Sequence, residues 1–556
     1  MLTVKASAKP RAGLLGNPSD MYGGRGIAFT FDDFGAEVTL TPAAKVDEGH
    51  DLVRAANAVF VRHAVGVGVE RARLDARPFA AQFASDIPRG VGLAGSSAIV
   101  VAALRALAKW HDVAIPPLRL AELALAAEVD VLGIRGGPMD RLAQAFEGVM
   151  AMDFAAPFEP GSVERLDADA LPPLLIAWDD APKASSGLVH VPVWERYQAG
   201  DPQVRAVMAE YRPLVERGRA ALARGDFAAL RALVDRNFDL RASLFPIRPR
   251  DRRMIDLGRE RGAATKFCGS GGAVLVVPEA REAMAALHAD YRAEGFATFE
   301  PTVSRTMHAI VLAAGFATRL HPLTLNVAKP LLDVGGRAIL TRVVDSLVAS
   351  RGVHAITVVA NRRFHGDFVR WADAMRAAGV EVPIEVLDDG AESPATALGA
   401  VRDLRFALAQ TKFAPGAGYL VAGGDNVLGF DLAPFVTRFV RERRPLLPLR
   451  RVTGPVPPRT YAEAQIDADS TLVRLREKPA DPQTPFAAIC LYLVPVALPE
   501  WLDAYLAGGG NPDAPGHFFA WLVARERSLG VPFDGAWFDI GTPETLATAR
   551  RLWEGK

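Results

Sequence analysis

Glycine-rich loops followed by serines or charges suit the chemistry of phosphate binding. The segment IPRGVGLAGSSAIVV places Gly92 and Gly95 before Ser96 and Ser97, where a helical pattern begins. A glycine loop that enters a helix N-terminus offers free N–H groups and the positive end of the helix dipole to an anion. An ordinary serine N-cap is the alternative, but it does not account for the loop glycines. The GxxxxGK[ST] motif of P-loop proteins is absent.

Two further segments carry groups that suit phosphoryl transfer. Glu128 and Asp140 flank the glycine loop IRGGPM, and Asp140 stands at the start of a predicted helix. A carboxylate there either complements the helix dipole or serves as a base or metal ligand. The segment KFCGSGGAVLVV has Gly269, Ser270 and Gly271 before a β-rich run, where a hairpin turn is the alternative.

The N-terminal segment KPRAGLLGNPSDMYGG gathers a cation, an amide and a carboxylate beside glycines. The residues are Arg11, Asn17 and Asp20. Polar groups that converge in this way suit a polyhydroxyl ligand, although a Pro/Gly/Asn/Asp-rich turn explains the same composition.

In the second half, AIVLAAGFATRLHPLTLNVAKPLL joins a buried strand to a thin loop and spaced cations. Residues 309–313 predict a fully buried parallel strand. The small residues after it allow a base and phosphates to approach the backbone N–H groups. Arg319 and Lys329 then supply fixed positive charge to a triphosphate.

Later segments add carboxylates at element ends. Asp425 ends the buried strand in GYLVAGGDNV, and open α/β sheets place their chemistry at such positions. Asp539 precedes a final helix that begins at Pro543, so support for the helix N-terminus is its alternative role. The segment VRLREKP contributes Glu477 and Lys478.

The helices and strands that position these groups must belong to two separate hydrophobic cores. The chain has 556 residues, which predicts at least two domains, and we place them at 1–304 and 307–556. Lys plus Arg equals Asp plus Glu at 64 each, which favours neither nucleic-acid nor membrane binding. Two cysteines, no apolar span and no signal peptide predict a cytoplasmic protein. The sequence leaves room for a homo-oligomer.

Taken in chain order, the three loops of the first half resemble the motifs of the GHMP kinase family, which implies its two-domain α+β fold. The resemblance implies that Asp140 accepts the proton of the attacking hydroxyl, and that Arg11 neutralises the transferred phosphoryl group. Asn17 and Asp20 would hold sugar hydroxyls. Glu128 and one of Ser96 and Ser97, with Ser97 preferred, would hold Mg²⁺. The ATP phosphates would meet Gly92, Gly95, Ser96, Ser97, Gly269, Ser270 and Gly271.

The segments RAGLLGNPSD, GLAGSSAIV and MDRLAQAFEGVMAMDF are most similar to the glucuronokinase branch, which phosphorylates C1 of D-glucuronate. Asn17-Pro18 stands where many sugar kinases of the family have Glu-His, so L-fucose or a heptose remains an alternative sugar. A uronate also requires a cation at its carboxylate, and Arg25 and Arg62 are the candidates.

The second half resembles glucose-1-phosphate thymidylyl- and uridylyltransferases, which implies a Rossmann-like α/β fold. By that resemblance, Arg319 and Lys329 are catalytic, and Asp425 and Asp539 bind Mg²⁺. Glu477 would hold a sugar hydroxyl and Lys478 the sugar phosphate. Asp389 would line the nucleotide cleft. The nucleotide would contact Ala313, Ala314, Gly315 and Thr318.

Together the two resemblances predict consecutive reactions in one chain. ATP phosphorylates a free sugar at C1, and a second nucleotide, UTP by preference, then yields a nucleotide sugar and diphosphate. L-fucose or a heptose with a GDP-sugar product is one alternative. A domain that is catalytically inactive and regulatory is the other.

Overall fold

A computed structural model describes residues 3–180, 186–350, 352–380, 382–413 and 415–553. The chain divides into two compact units, Met1–Ser304 and Arg305–Lys556. Within these described ranges, no helix combines the length and apolar character that crossing a bilayer requires.

The first unit alternates short strands with helices. Its described strands are β1 (Val4–Ala8), β2 (Arg11–Leu15), β3 (Arg25–Thr30), β4 (Ala36–Pro42), β5 (Phe79–Ser85), β6 (Val149–Asp153), β7 (Val163–Leu166), β8 (Leu175–Trp178), β9 (Ala264–Phe267), β10 (Ala273–Val277) and β11 (Ala297–Phe299). Its described α-helices are α1 (Asp51–Gly66), α2 (Arg71–Asp75), α3 (Gly95–His111), α4 (Pro117–Ala126), α5 (Met139–Phe146), α6 (Ser186–Gln198), α7 (Pro202–Arg224), α8 (Phe227–Ala242), α9 (Pro249–Glu260) and α10 (Met284–Ala293). A π-helical turn follows α4 over Ala127–Val131.

Three antiparallel sheets organise the first unit, in the orders β1-β4-β5, β2-β3-β6-β7 and β11-β8-β10-β9. Helix α3 lies in the main core, and its alanine-rich sequence explains why. Alanine has the highest helix propensity, and a helix that is apolar on nearly all sides is buried. Residues Ala98–Leu104 are accordingly all buried. The start of α3 at Gly95 is thereby fixed against the surrounding sheets.

A second core in the first unit holds α8 against the β8–β11 sheet. Phe238 of α8 packs with Met254 of α9, Leu287 of α10, and Val274 and Val276 of β10. This packing carries the C-terminal end of α8 to the loop between β9 and β10. The same loop is the glycine-rich segment of the sequence, and it closes an antiparallel hairpin.

The second unit is built on one large sheet. Its described strands are β12 (Met307–Leu312), β13 (Asp333–Val334), β14 (Arg337–Ala338), β15 (Val353–Ala360), β16 (Ile384–Asp388), β17 (Tyr419–Gly423), β18 (Asn426–Gly429), β19 (Leu446–Arg451), β20 (Ala462–Ile466), β21 (Leu472–Arg476), β22 (Phe486–Ala488), β23 (Leu491–Val494), β24 (Leu529–Phe533) and β25 (Ala536–Asp539). Its described α-helices are α11 (Ile339–Ala349), α12 (His365–Ala377), α13 (Ala400–Gln410), α14 (Ala433–Glu442), α15 (Leu498–Ala507), α16 (Pro515–Val523) and α17 (Pro543–Trp553).

Four neighbouring strands, β16-β15-β12-β17, run parallel at one side of the sheet. Side chains of β12 alternate between its two faces. Ala309 and Val311 join a core with Leu340 of α11, while Ile310 joins a core with Leu404 of α13. Helices therefore cover both faces, which makes the sheet doubly wound and gathers the carboxyl ends of the parallel strands at one edge.

Candidate active sites

A cavity of about 400 Å³ in the first unit brings together most of the residues predicted there. Gly271 is outside its lining, but a Cβ on Gly92 would lie 2.8 Å from the Gly271 carbonyl oxygen, so Gly271 supports the wall. Arg25 and Arg62, the two candidates for a carboxylate contact, do not line the cavity. The predicted residues on its wall are Arg11, Asn17, Asp20, Gly92, Gly95, Ser96, Ser97, Glu128, Asp140, Gly269 and Ser270.

The two glycine loops of the cavity touch backbone to backbone. A Cβ on Gly269 would lie 2.3 Å from the Gly92 carbonyl oxygen, so only glycine fits there. Gly92 and Ala94 have φ values of +79° and +61°, and α3 begins at the next residue, Gly95. The first N–H groups of α3 therefore lie at the cavity, where they suit an anion.

An ion pair joins the predicted base to the predicted phosphate cation. Arg11 donates from Nε to Oδ1 of Asp140 over 2.7 Å, and its Nη2 lies 2.5 Å from the same oxygen. Its Nη1 donates to the carbonyl oxygens of Gly92 and Cys268 at 2.9 and 3.1 Å. Arg11 thus fixes Asp140 and ties it to both glycine loops.

The predicted metal ligands of this unit also meet. Ser97 donates from Oγ to Oε2 of Glu128 at 2.9 Å, and both are buried on the cavity wall. Ser96, by contrast, is exposed. Arg141, which sequence reasoning missed, donates from Nε to Glu128 at 2.8 Å. Burial lowers the pKa of Arg141, but Glu128 and Asp140 outweigh it, and the net shift is upward.

The hydroxyl and carboxylate of Ser97 and Glu128 are hard oxygen donors. No group of three or more His, Cys, Asp or Glu suited to a metal occurs among the described residues. Mg²⁺ needs no such group, because it keeps several waters and binds through one or two carboxylates plus the phosphates of its nucleotide. The pair Ser97 and Glu128 therefore fits a magnesium ion that arrives with ATP.

The predicted sugar-binding residues lie at the same cavity. Burial and the neighbouring Asp140 raise the pKa of Asp20 to about 6. A Cβ on Gly137 would lie 2.1 Å from Oδ2 of Asp20, so glycine is required beside it. Asn17 donates from Nδ2 to the carbonyl oxygens of Phe267 and Gly269 at 3.2 and 3.1 Å. Its own Oδ1 is buried and has no partner among the described residues.

In the second unit, charges converge where β17 ends. Lys329 Nζ lies 2.5 Å from Oδ2 of Asp425, and Asn426 Nδ2 donates to Oδ1 of Asp425 at 2.7 Å. Asp539 stands opposite Asn426 in the β18–β25 pair. Burial and Asp425 raise the pKa of Asp539, while Lys329, Lys478 and Arg319 oppose the rise.

Asp425 and Asp539 are thus two neighbouring carboxylates whose negative charges repel. A divalent cation would relieve that repulsion, and two carboxylates with substrate phosphates are the donor set that Mg²⁺ prefers. These residues fit a magnesium site. Asp539 ends β25 and lies outside α17, which begins at Pro543.

The remaining predicted residues of this unit surround those carboxylates. Glu477 is almost buried, with 12% of its side chain exposed, and a Cβ on Gly516 would lie 1.8 Å from its Oε2. Lys478 Nζ lies 3.9 Å from Glu477 Oε1. Arg319 is exposed in a 3-10 turn that begins at Thr318.

The loop after β12 is held in place by backbone contacts. Gly424 donates its N–H to the Leu312 carbonyl oxygen at 2.9 Å, and a Cβ on Gly424 would lie 3.1 Å from the Ala313 Cβ. The buried Asn361, another residue missed in the sequence, donates from Nδ2 to the Ala314 carbonyl oxygen at 2.9 Å. A Cβ on Gly315 would meet nothing within 4 Å, so the backbone there is open to a ligand.

Asp389, predicted at the nucleotide cleft, directly follows the parallel strand β16. Burial and the neighbouring Asp389 raise the pKa of Asp403 on α13. Asp403 is a third residue that sequence reasoning did not single out.

Comparison with known proteins finds different families in the two halves of the chain. Residues 52–148 and 219–293 match the family models "GHMP kinases N terminal domain" and "GHMP kinases C terminal". The chain is 36% identical to probable glucuronokinase 2 of Arabidopsis thaliana, over 51% of this chain and 87% of that protein. The first unit belongs to the GHMP kinase family. Glucuronokinase 1 of the same plant is 35% identical, over 52% of this chain and 89% of that protein.

Residues 308–554 match the model "Nucleotidyl transferase". Glucose-1-phosphate thymidylyltransferase of Mycolicibacterium smegmatis is 29% identical, over 44% of this chain and 81% of that protein. The predicted fusion of a GHMP kinase with a nucleotidyltransferase is thereby confirmed, together with its α+β and α/β fold classes. The protein is an enzyme with sugar kinase and nucleotidyltransferase activities.

Proposed function

We propose that the first unit phosphorylates D-glucuronate at C1 and that the second unit converts the product with UTP to UDP-glucuronate and diphosphate. The observation that carries the choice of sugar is the 36% identity to a glucuronokinase across 87% of that relative. The joining of the two units supports the sequence of reactions, because a sugar 1-phosphate is the product of the first and a substrate of the second.

In the kinase step, Asp140 accepts the proton of the C1 hydroxyl as that oxygen attacks the γ-phosphorus of ATP, the bond from this phosphorus to the bridging oxygen breaks, and ADP leaves. Arg11 holds Asp140 in position and stabilises the charge on the transferred phosphoryl group. The N–H groups at the start of α3 and the loop at Gly269 and Ser270 bind the phosphates. Mg²⁺, held by Ser97 and Glu128, would neutralise phosphate charge. Asn17 and Asp20 position the sugar hydroxyls.

In the transferase step, a phosphate oxygen of the sugar 1-phosphate attacks the α-phosphorus of UTP, and diphosphate leaves. Lys329 and Arg319 stabilise the charge that develops on the phosphates. The open backbone at Gly315 receives the nucleotide beside Ala313 and Ala314, and Thr318 follows at its edge. Glu477 binds a sugar hydroxyl and Lys478 binds the sugar phosphate. Asp425 and Asp539 would hold Mg²⁺, which supplies further neutralisation.

The test is a product assay on the purified chain. The enzyme is given ATP, Mg²⁺, each of four nucleoside triphosphates and one free sugar from a panel of glucuronate, galactose, L-fucose and a heptose. We expect UDP-glucuronate from glucuronate with UTP, detected by mass. A nucleotide sugar formed only from L-fucose or a heptose with GTP would overturn the choice of sugar and base. Sugar 1-phosphate that accumulates with every nucleotide would overturn the second step.

A further inference from the structure

Arg241 is a buried cation on the wall of the kinase cavity that the reaction described above does not use. It lies near the C-terminal end of α8, is 2% exposed and lines the cavity. Its Nη2 donates to the Ser270 carbonyl oxygen at 2.7 Å. Its Nε and Nη1 are buried and have no hydrogen-bond partner within the described part of the chain.

The other two buried arginines of this cavity are already neutralised. Arg11 is 2.5 Å from Asp140, and Arg141 is 2.5 Å from Glu128. Arg241 forms no ion pair with any carboxylate in the described ranges, and the nearby Asp251 is paired with Arg248 at 2.6 Å. Buried guanidinium groups are normally paired and hydrogen-bonded. An anion that enters the cavity would complete the contacts of Arg241.

Two aromatic rings fix the position of the Arg241 guanidinium. Its Cζ lies 4.7 Å from the ring centroid of Phe245 and 5.4 Å from that of Phe267. Burial lowers the pKa of Arg241 to about 10, so the group is still charged at neutral pH. Two of its nitrogens have no partner among the described residues, so this charged group can donate to an anion such as a carboxylate.

Asn17 adds a hydrogen-bond acceptor near Arg241, which supplies donors only. Arg241 and Asn17 donate to the consecutive carbonyl oxygens of Ser270 and Gly269, so both are anchored to one loop. The unpartnered Oδ1 of Asn17 is an acceptor for a hydroxyl. Asp20 interacts electrostatically with both Asp140 and Arg241, which sets Arg241 within the sugar region of the cavity.

We propose that Arg241 binds the carboxylate of a sugar acid and that Asn17 accepts a hydrogen bond from a neighbouring hydroxyl. This proposal rests on the proposed kinase function and deepens it. Arg25 and Arg62 do not serve this purpose. Arg25 is bound to Asp153 at 2.7 Å, away from the cavity lining, and Arg62 is exposed. Arg241 would select sugar acids over neutral sugars by leaving a buried charge unpaired when the carboxylate is missing.

The test measures kcat and KM for glucuronate, glucose and ATP in the wild type, Arg241→Gln and Arg241→Lys. We expect the preference for glucuronate over glucose in kcat/KM to fall at least about tenfold in Arg241→Gln, because a charged hydrogen bond is lost. Arg241→Lys should keep part of the preference. The KM for ATP should stay within about twofold in both variants.

Arg236→Gln is the matched control, because Arg236 is on the same helix, is about half exposed and pairs with Glu210 at the surface. Arg236→Gln should leave kcat and KM unchanged for glucuronate, glucose and ATP. The melting temperature of Arg241→Gln is measured beside the kinetics, because the variant loses the Nη2 hydrogen bond to Ser270. A variant that unfolds is replaced in the test by Arg241→Lys alone, whose preference must then be lower than that of the wild type.

Each contrary result has a separate meaning. A raised KM for ATP with unchanged sugar preference would assign Arg241 to a nucleotide phosphate and overturn the proposal. An equal loss of kcat/KM for glucuronate and for glucose would show that Arg241 has only a structural role and would overturn the proposal. Wild-type enzyme that acts on neutral sugars and ignores glucuronate would overturn the proposed sugar and this inference together, whereas an unchanged preference in active Arg241→Gln would overturn the inference alone.

Discussion

The two candidate sites carry similar groups in different settings. In the first unit, the pairs Arg11–Asp140 and Arg141–Glu128 are formed within the protein, and three of these four side chains are no more than 6% exposed. In the second unit, the Lys478 side chain is 51% exposed and Arg319 is also exposed. Most of the charged side chains in the first site are therefore more buried than Arg319 and Lys478 of the second.

The architecture explains the contrast. The charged groups of the first site come from the start of β2, from α5 and from the π-helical turn after α4, and ion pairs join these separate elements. The second site lies at the edge where parallel strands end, and the strands themselves position Asp425 and the loop after β12. In the second site, the ion pair between Lys329 and Asp425 adds to the positions that the strands fix.

We expect the largest effects on activity when one carboxylate is removed at a time, Asp140 in the first site and Asp425 in the second. Asp140→Asn should lower kinase kcat by about 10²- to 10⁴-fold, the usual contribution of a general base, and leave the transferase reaction with supplied sugar 1-phosphate intact. Asp425→Asn should lower the kcat of the transferase reaction and leave the kinase reaction intact. The two half-reactions are assayed separately on each variant. Full kinase activity in Asp140→Asn would reject that residue as the base.

Removal of the Lys329 charge should have the next largest effect. Lys329→Met takes a fixed cation from the phosphates and leaves Asp425 without its ion pair, so transferase kcat should fall about 10²- to 10³-fold. Lys329→Arg is the control that retains the charge and should recover part of the activity. Steady-state assays of diphosphate release measure both. An equal loss in the two variants would show that shape rather than charge matters at this position.

Gly516→Ala tests whether sheet-edge packing positions the sugar-binding carboxylate. The new Cβ would lie 1.8 Å from Oε2 of Glu477 and must displace that side chain. We expect transferase kcat/KM for the sugar phosphate to fall about tenfold, the scale of a lost hydrogen bond to a charged group. Gly366→Ala is the control, because its Cβ would meet only Arg370 at 3.6 Å. Similar losses in both variants would refute a local effect at Glu477.

The smallest effect concerns the pH dependence of the kinase unit. The pKa of Asp20 is about 6 in the folded protein and near 4 when unfolded. The folded state therefore retains a proton that the unfolded state releases, and stability falls as pH rises through this window. Asp20→Asn cannot ionise, so its melting temperature relative to wild type should rise by about 1–3 °C between pH 4.5 and pH 7.

Calorimetry provides this measurement, with the transition of the first unit recognised by its upward shift in ATP. A difference between Asp20→Asn and wild type that is the same at both pH values would contradict the raised pKa of Asp20.

Sequence motifs predicted the families and fold classes well because the decisive groups lie in continuous segments. The loop with Gly92 and Gly95 stands directly before its helix, and Arg319 and Lys329 closely follow their strand. Motifs of this kind can be recognised in the sequence without knowledge of the tertiary structure. The placement of Ser97, rather than the exposed Ser96, against Glu128 required the packing of α3 beside the π-helical turn.

The residues that sequence reasoning missed are brought to the sites by contacts between segments that are distant in the sequence. Arg241 is one of 64 Lys and Arg residues, and nothing in its local segment marks it. Its position follows from α8 packing on the β8–β11 sheet, which brings it to the loop at Ser270. Arg25 is one of the two candidates that the sequence offers for the carboxylate contact. Its pairing with Asp153 of β6 comes from strand register, which the sequence alone does not display.

The contact between Gly92 and Gly269 has a consequence for the newly made chain. Because the two loops touch backbone to backbone, the cavity is complete only when the segments around Gly92 and Gly269 have met. Folds that depend on contacts of such long sequence separation form slowly, because the entropy of loop closure must be overcome first. A ribosome-bound kinase unit should consequently stay unable to bind ATP until the β9–β10 hairpin has emerged from the exit tunnel, and catalytic competence would report completion of the whole unit.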